Sequence, residues 1–417
     1  MTFQANEQQA TRRHIWRHWM VTGALLIALH GALAWLARRF AYGAPLLSKP
    51  VWTAVGLMLL AGAIYLLTLR SGRRLSAEAA TPRPLVLWIL AAGVAMRAVF
   101  LFSTPVLEDD FYRYLWDGAV TASGENPFAY VPDDVVIADE TSGLSPRLRQ
   151  LAVTGEVTLW RVNHSDLRTI YPPVAQAAFA LAYWLAPRQL WAWRLVLFGF
   201  ELATLGLLVL FMRRWRLPVS TLAIYWWNPL VVVQSSNAAH MDAVVLPFVL
   251  GALWLAISGR QVWAAGALGL AVGAKVWPVL LLPVLLRSLS ADRQALLAQP
   301  RRLAGALAVF AAICAALFWP VYRAGLNQSS GFTAYSQSWE MNDALFMALL
   351  WPFRQPGNWQ GWEPRTAQLT VRLITGLLLA GILLWLLRRA AASEVELAER
   401  CLWVVAALFL LSPAQFP

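Results

Sequence analysis

The sequence has few charged residues. Only 13% of its 417 positions are Asp, Glu, Lys or Arg, whereas 59% are hydrophobic. A water-soluble domain usually has about 25% charged residues, because its surface has to be hydrated. The composition therefore excludes an ordinary soluble fold, and most of the outer surface is expected to face lipid.

Cysteine and lysine are also scarce. The two cysteines, Cys314 and Cys401, both lie in apolar segments and predict no disulfide framework. The two lysines are Lys49 and Lys275, so arginine carries nearly all of the positive charge behind the net charge of +12. In a soluble protein this charge would indicate nucleic acid. Here the arginines stand at the ends of apolar segments, which is typical of membrane topology signals, and no nucleic-acid partner is predicted.

Long apolar segments indicate transmembrane helices, because about 20 mostly apolar residues are needed to cross the hydrocarbon core. Arg12, Arg13 and Arg17 precede the first segment, and no convincing cleavage site follows it, so it is expected to be retained as a span. The pattern predicts an all-α polytopic membrane protein. The candidate spans are 20–37, 51–69, 85–102, 191–212, 218–239, 242–257, 303–320, 368–387 and 399–413.

The arginines also predict the orientation. With the N-terminus inside, the basic segment 70–83 is cytoplasmic, and the segment 103–172, which holds eleven of the 22 acidic residues, lies outside. The apolar segment 173–186 is short and follows Pro172. If it lies along the membrane interface instead of crossing, every downstream arginine cluster falls in the cytoplasm. We therefore predict an interfacial helix there.

The apolar segment 261–287 has basic residues at both ends and contains Lys275 and Pro278. It predicts a hairpin of two short half-helices with Lys275 near the outer tip. The alternative is one tilted span, for which the segment is long enough. The sequence ends directly after an apolar segment, at Ser412-Pro-Ala-Gln-Phe-Pro417, and is expected to lack one or more C-terminal helices.

Three consecutive acids, Glu108, Asp109 and Asp110, directly follow a predicted span. Adjacent carboxylates repel one another, so one can keep a raised pKa and act as a general base. The aromatic residues around them suit a membrane surface where a sugar and a lipid head group meet. The alternative is a helix N-terminus, where the helix dipole favours acids in the first turn.

Further polar residues are predicted on the same side. His164, Arg168 and Tyr171 precede the interfacial helix, and an arginine there can bind a phosphate with its planar fork. A loop with an aromatic anchor is the alternative. His240 and Asp242 fall in a predicted outer turn. Five histidines without ligand spacing argue against a histidine-based metal site.

Lys275 is the most informative single residue, because lysine is otherwise nearly absent. At the tip of a membrane hairpin its ammonium can bind a lipid phosphate, and snorkelling to the membrane surface is the alternative. Arg194 and Glu201 lie two turns apart in one predicted span, too far for a direct pair. Each is interpreted as a residue that ties two helices together.

Taken together, these segments resemble the C-type (GT-C) glycosyltransferase superfamily, especially bacterial mannosyltransferase-like proteins related to the catalytic subunit of GPI mannosyltransferase I. The resemblance covers about 85–417. The segments that carry it are Asp109-Asp110, Tyr171-Pro-Pro173, His240-Met-Asp242, Lys275-Val-Trp-Pro278, Trp339-Glu-Met-Asn342 and Ser412-Pro-Ala-Gln-Phe-Pro417.

The resemblance implies a GT-C-type helical bundle, with N-terminal membrane helices over 1–84 and a catalytic region over 85–417. The outer loop and interfacial helix would span 103–190. The resemblance also implies a multi-pass enzyme of a bacterial inner membrane whose active site faces the periplasm. Such an enzyme transfers a hexose, here mannose, from a polyprenyl-phosphate sugar to a glycan or lipid acceptor, with inversion at the anomeric carbon.

In the family, the base corresponds to Asp109, with Asp110 as the second candidate. A phosphate leaving group needs a cation rather than a general acid, and Lys275 and Arg168 are the candidates for it. The residues expected to bind substrate are Lys275, Arg168, Tyr171, His164, His240 and Asp242. No Gly-rich nucleotide loop is visible, which agrees with a lipid-borne donor. No cofactor is certain, and the sequence leaves open whether a divalent metal ion takes part.

Two other functions share some of these features. A transporter or lipid-linked-sugar flippase would need charged residues along a midplane path and inverted repeats. The polar residues are instead concentrated at one membrane face, and no repeats are visible. An O-antigen ligase or polymerase that uses lipid-diphosphate sugars would have the same sidedness. Competition between donors would separate it from an enzyme that uses polyprenyl-monophosphate sugars.

Overall fold

The structure is a computed structural model that describes residues 2–72, 83–137, 143–287, 300–340, 345–354 and 364–413. Within these ranges the chain forms helices and no strand, which confirms the predicted all-α class. The longer helices are Thr2–Leu36, Val51–Gly72, Arg83–Ala98, Phe111–Ala122, Pro173–Leu185, Leu190–Arg214, Leu246–Ile257, Gln261–Ala274, Pro300–Ala324, Pro364–Leu387 and Glu394–Leu411. The shorter α-helices are Pro132–Val136, Pro146–Thr154, Glu156–Leu159, Ala223–Trp226, Pro229–Val232, Leu282–Arg287, Gly331–Ser338 and Leu345–Leu350.

Several helices are suited to lipid on their outer faces. Large apolar side chains such as Trp52, Leu59 and Leu384 are 87%, 70% and 67% exposed. Water does not favour apolar surfaces of this extent, whereas lipid tails accept them. The chain is therefore a multi-pass membrane protein. The five described helices that are long and apolar enough to span are Trp16–Arg39, Val51–Ser71, Leu190–Arg214, Pro300–Ala324 and Thr366–Leu387.

The chain forms two compact units, each assembled from three segments. The first unit contains Met1–Gly124, Gln150–Asn163 and Ala177–Pro247. The second unit contains Glu125–Arg149, His164–Gln176 and Phe248–Pro417. The division predicted between residues 84 and 85 stays a prediction.

A buried ion pair joins Arg83–Ala98 to Leu190–Arg214 inside the first unit. Arg97 and Glu201 lie 2.8 Å apart, and their side chains are 4% and 1% exposed. The Arg97 guanidinium also lies 3.8 Å from the ring centre of Trp226. Since an ionised group inside a membrane protein needs such partners, Glu201 ties two helices together as the sequence predicts.

The segment predicted as a single span over 218–239 is broken, so that prediction was wrong. One short helix ends at Trp226, and Asn228 starts the next, because its side-chain oxygen accepts a hydrogen bond of 3.0 Å from the Leu230 N–H. The following proline, Pro229, fits the first position of a helix but cannot continue one. The pair Pro229–Asn237 and Met241–Ile257 is bent by 102°. The bend places the buried polar residues Asn237 and His240 in the turn between the two helices.

In the second unit, the apolar segment 261–287 is divided as predicted. Gln261–Ala274 ends at Lys275, whose backbone is extended with φ −153° and ψ 140°. A 3-10 turn over Trp277–Leu281 follows, and then Leu282–Arg287, which contacts the first half-helix. The two short halves are therefore confirmed, whereas the side of the membrane on which Lys275 lies stays a prediction.

The predicted interfacial segment forms the helix Pro173–Leu185, which has 13 residues. At about 1.5 Å per residue it is too short to cross a hydrocarbon core of about 30 Å. Its position along the interface stays a prediction. Four segments used in the sequence analysis lie partly outside the described residues: the basic segment 70–83, the outer segment 103–172, the motif 339–342 and the C-terminal motif 412–417.

Candidate active site

Two loops of the first unit carry the candidate site, and in each a non-glycine residue has a left-handed backbone. Leu107 has φ of 58° immediately before Glu108, and Ala239 has φ of 60° immediately before His240. A residue held in such a region costs of order 1–3 kcal/mol and persists only where its surroundings fix it. The backbone of each loop is therefore fixed immediately before Glu108 and His240, which fixes the directions of these two side chains.

Glu108 accepts hydrogen bonds from three directions. Its Oε1 accepts from the backbone N–H of Asp109 at 3.1 Å and of Asp110 at 3.0 Å. Its Oε2 lies 2.9 Å from Nε2 of His240, whose side chain is 6% exposed. Burial alone would raise the pKa of Glu108, but the hydrogen bond and charge of His240, with the two backbone N–H groups, lower this pKa below its usual value. Glu108 is thus an ionised, fixed carboxylate.

Asp109 and Asp110 share one amide. Nδ2 of Asn163 donates to Oδ1 of Asp109 at 3.1 Å and to Oδ1 of Asp110 at 2.5 Å. A donor between two carboxylates reduces their repulsion and holds their oxygens on the same side. The arrangement keeps two adjacent acids together at the end of a loop, which is what a general base or a cation site needs.

Asn163 is itself held through the neighbouring Arg161. Nη1 of Arg161 donates to the Tyr112 hydroxyl at 2.8 Å, and its guanidinium lies 4.9 Å from the ring centre of Tyr42. The two tyrosine rings meet edge to face at 5.4 Å. This layer fixes the segment that ends at Asn163 to the start of the helix Phe111–Ala122.

The helix Phe111–Ala122, which follows Asp110, is packed unusually closely. A Cβ placed on Gly118 would lie 2.5 Å from the backbone oxygen of Phe179, so only glycine fits there. One turn before Gly118, the Tyr114 ring stacks on the Phe179 ring at 4.8 Å. The helix that begins beside the acids is therefore fixed in both distance and rotation.

Arg194 and Asn237 connect the acidic loop to the bend that carries His240. Arg194 donates to the carbonyl oxygens of Leu101, Ser103 and Asn237 at 3.1, 2.7 and 2.6 Å. Oδ1 of Asn237 accepts from the Val106 N–H at 2.9 Å. These contacts set the spacing between the two loops, so Arg194 and Asn237 are positioning residues.

Asp242 lies close to this network. It occupies the turn Met241–Val244 directly after His240, and it is half-buried. The negative charges of Glu108, Asp242 and Asp110 all stabilise the protonated form of the His240 imidazole. Four of the predicted site residues, Asp109, Asp110, His240 and Asp242, are thus brought together in the first unit.

The other predicted site residues, His164, Arg168, Tyr171 and Lys275, belong to the second unit. His164 is exposed, and its ring meets Trp339 edge-on at 4.6 Å. The Tyr171 backbone N–H donates to Thr169 Oγ1 at 3.2 Å. Lys275 is half-buried at the end of its helix.

Arg168 makes structural contacts. It is 6% exposed and pairs with Ser330 in an isolated bridge. Its Nη1 donates to the carbonyl oxygens of Phe128 at 3.1 Å and Ala324 at 2.7 Å. Its Nη2 donates to the Gly325 carbonyl at 3.3 Å and to the side-chain oxygen of Asn327. The guanidinium thus satisfies carbonyls at the end of the helix Pro300–Ala324.

Sequence reasoning did not assign roles to Glu108, Asn163, Asn237 or Arg194 at the site. Glu108 was one of three equivalent acids in the sequence, and Asn163 was an ordinary loop residue. The only signal for Arg194 was its position inside an apolar segment, since an intramembrane charge has a partner or a function. Which partner it has depends on the tertiary fold.

Comparison with known proteins gives two family matches. Residues 15–290 match the family described as alpha-(1->6)-mannopyranosyltransferase, N-terminal domain. Residues 169–413 match glycosyltransferase family 87. The chain is also 29% identical over 272 residues to alpha-(1->6)-mannopyranosyltransferase A of Mycobacterium tuberculosis, a match that covers 63% of this chain and 46% of the relative. The chain thus spans about half the length of that relative. No solved structure matches it significantly.

Proposed function

We propose that this chain, which belongs to the alpha-(1->6)-mannopyranosyltransferase family, transfers mannose from a polyprenyl-phosphate sugar to a glycan or lipid acceptor. Membership confirms the predicted family resemblance and supports the proposed glycosyltransferase activity. The name of the mycobacterial relative supplies the proposed α-(1→6) linkage. The observation that carries the proposal is the acid pair Asp109–Asp110, held by Asn163 within the matched residues.

The acid pair supports a direct displacement. The acceptor hydroxyl oxygen attacks the anomeric carbon, while the bond from that carbon to the phosphate oxygen breaks and its electron pair leaves with the polyprenyl phosphate. The hydroxyl proton moves to a carboxylate, for which we propose Asp109, with Asp110 as the second candidate. Glu108 is less suited, because its oxygens accept two backbone N–H groups and face His240. Attack and departure on opposite faces invert the anomeric configuration.

The leaving phosphate needs a cation, and we propose Lys275 for it. A charge-assisted hydrogen bond from an ammonium stabilises the developing negative charge without proton transfer. Tyr171, His164 and Asp242 remain proposed substrate-binding residues. Arg168 would have to give up its carbonyl partners to bind phosphate, so we assign it to the scaffold.

We place the reaction on the periplasmic face of a bacterial inner membrane. The support is the distribution of arginines, which would put the basic ends of the helices in the cytoplasm and the acidic segment 103–172 outside. A polyprenyl-phosphate donor suits this location, because its lipid tail stays in the membrane while its sugar reaches the surface.

The purified full chain in proteoliposomes tests the donor. Radiolabelled mannose would be offered as polyprenyl-phosphate mannose, as polyprenyl-diphosphate mannose or as a nucleotide-activated mannose, with an α-mannoside acceptor. We expect transfer from the monophosphate alone and a product that an α-mannosidase with 1→6 specificity cleaves. Transfer from the diphosphate or nucleotide donor instead would contradict the proposed donor.

A further inference from the structure

We propose that Glu108, Asp110 and His240 bind a divalent transition-metal ion. One ligand atom of each residue lies within 4.8 Å of the others. Two carboxylates and one imidazole meet here from two different loops of the first unit, and neither loop contains a local metal-binding motif. The sequence argument against a histidine-based site considered only spacing along the chain, and it therefore did not detect this group.

The spacing of two of the three ligand atoms fits a metal ion. Two ligands at right angles on an ion, each about 2.1 Å from it, lie about 3.0 Å apart. Oε2 of Glu108 and Nε2 of His240 are 2.9 Å apart. The two atoms can therefore occupy adjacent positions around one ion without a change of rotamer, with the ion replacing the proton between them.

The ligand types narrow the choice of ion. Mg²⁺ and Ca²⁺ prefer oxygen ligands alone, whereas an imidazole favours ions such as Zn²⁺, and Mn²⁺ accepts carboxylates and water. A set of two carboxylates and one imidazole therefore favours a first-row divalent ion in the series from Mn²⁺ to Zn²⁺. Three protein ligands also leave coordination positions that a phosphate or hydroxyl oxygen of a substrate can fill.

The residues around the ligands hold them as metal sites require. Metal-ligating carboxylates are in turn hydrogen-bonded, and this outer layer fixes their orientation. Asn163 donates to Asp110 at 2.5 Å, and the backbone N–H of Asp109 donates to Glu108 at 3.1 Å. The left-handed residues Leu107 and Ala239 precede two of the ligands. This arrangement leaves Asp109 outside the ligand set, as the proposed base.

The role of the ion in transfer, which is neutralisation of the leaving phosphate, rests on the proposed function, whereas its binding does not. The binding test therefore contains no sugar. Full-length protein in detergent is stripped with chelator and titrated with Mn²⁺, and free Mn²⁺ is followed by electron paramagnetic resonance. We expect one saturable site per chain and a rise in thermal midpoint on Mn²⁺ addition. The near-isosteric variants Glu108→Gln and Asp110→Asn should weaken binding at least about tenfold.

Asp109→Asn is the matched control, because it removes an equivalent carboxylate one position away and should keep the wild-type affinity. Absence of saturable binding in wild-type protein would overturn the metal site, even if the variants fail to fold. Equal affinity of wild type, Glu108→Gln and Asp110→Asn would overturn it as well. Mannosyl transfer by protein that binds no Mn²⁺ would remove the site and leave the proposed function standing. Saturable Mn²⁺ binding without any mannosyl transfer would support the metal site and contradict the proposed function.

Discussion

Oε2 of Glu108 lies 2.9 Å from Nε2 of His240, so the acidic loop and the helix bend meet at one ion pair. The next two residues after Glu108 carry the carboxylates that Asn163 holds together. The position of the proposed base is therefore determined by residues from three separate segments of the first unit.

Replacing Asp109 with asparagine tests the base. The change preserves the size of the side chain but removes its ability to accept a proton. Loss of a positioned base typically lowers a reaction rate by about 10²–10⁴-fold. We expect transfer to fall by this amount while the protein folds and binds donor. Asp110→Asn should also slow transfer, and Asp134→Asn, an exposed acid, is the control. Near-wild-type rates for both Asp109→Asn and Asp110→Asn would exclude the acid pair from catalysis.

Asn163 is expected to act by positioning. Asn163→Ala removes the amide that holds both carboxylates, and a misplacement of about 1 Å at a reacting group can cost about 10² in rate. The expected result is a lower kcat with a nearly unchanged KM for the donor. Asn163→Asp should be worse, because it adds a third charge beside two acids. An unchanged kcat in Asn163→Ala would show that the amide has no such role.

Substitutions that remove or keep the positive charge at position 275 test the proposed contact between Lys275 and the donor phosphate. Lys275→Met should weaken binding of a polyprenyl-phosphate analogue, because a charge-assisted hydrogen bond is worth about 1.5–3 kcal/mol. Lys275→Arg should recover part of this affinity, since the charge is kept although the geometry differs. A lysine that only snorkels to the membrane surface predicts equal affinities for wild type and Lys275→Met, as measured by titration in detergent.

Arg168 should behave differently from Lys275. Arg168→Gln removes donors to the Phe128 and Ala324 carbonyls, and a buried acceptor left unsatisfied costs about 1–3 kcal/mol. We expect a lower thermal midpoint and an unchanged affinity of the folded fraction for the phosphate analogue. The opposite result, lost affinity at unchanged stability, would restore the phosphate role that the sequence predicts for Arg168.

The orientation is tested by single cysteines in a background without Cys314 and Cys401. Asp134→Cys places a thiol at an exposed position in the segment 103–172, which is predicted outside. Gln337→Cys places one at an exposed position between the candidate spans 303–320 and 368–387, whose far ends carry arginines predicted in the cytoplasm, so it is predicted outside as well. Ser258→Cys places one at an exposed position beside Arg260, predicted inside. We expect an impermeant maleimide to label the first two in intact spheroplasts and the third only after lysis. Labelling of Ser258→Cys in intact cells would reverse the arrangement of the helices around it. Asn237 is unsuitable as a label site, because it is fully buried.

Much of the helical architecture could be predicted because lipid imposes a simple rule on sequence. Apolar length predicted helices such as Leu190–Arg214 and Pro300–Ala324, and a lone lysine predicted the break at Lys275. The break at Asn228 was missed because its cause is local: a side-chain cap followed by proline inside an otherwise apolar segment.

The candidate site was predictable only in part. Asp109, Asp110, His240 and Asp242 were identified from charge and position, but the special role of Glu108 was not. That role depends on a long-range contact to His240 and on left-handed backbones at Leu107 and Ala239, residue types with no preference for that conformation. No periodicity or local spacing encodes such a contact.

The three carbonyl contacts of Arg194 have a mechanical consequence. Arg194 belongs to the helix Leu190–Arg214. It donates hydrogen bonds to the carbonyl oxygens of Leu101 and Ser103 on one loop and of Asn237 on the other. If that helix tilts or slides in the membrane, these hydrogen bonds make both loops move with it together. Motions of the helix that carries Arg194 therefore leave the distance between Glu108 and His240 unchanged.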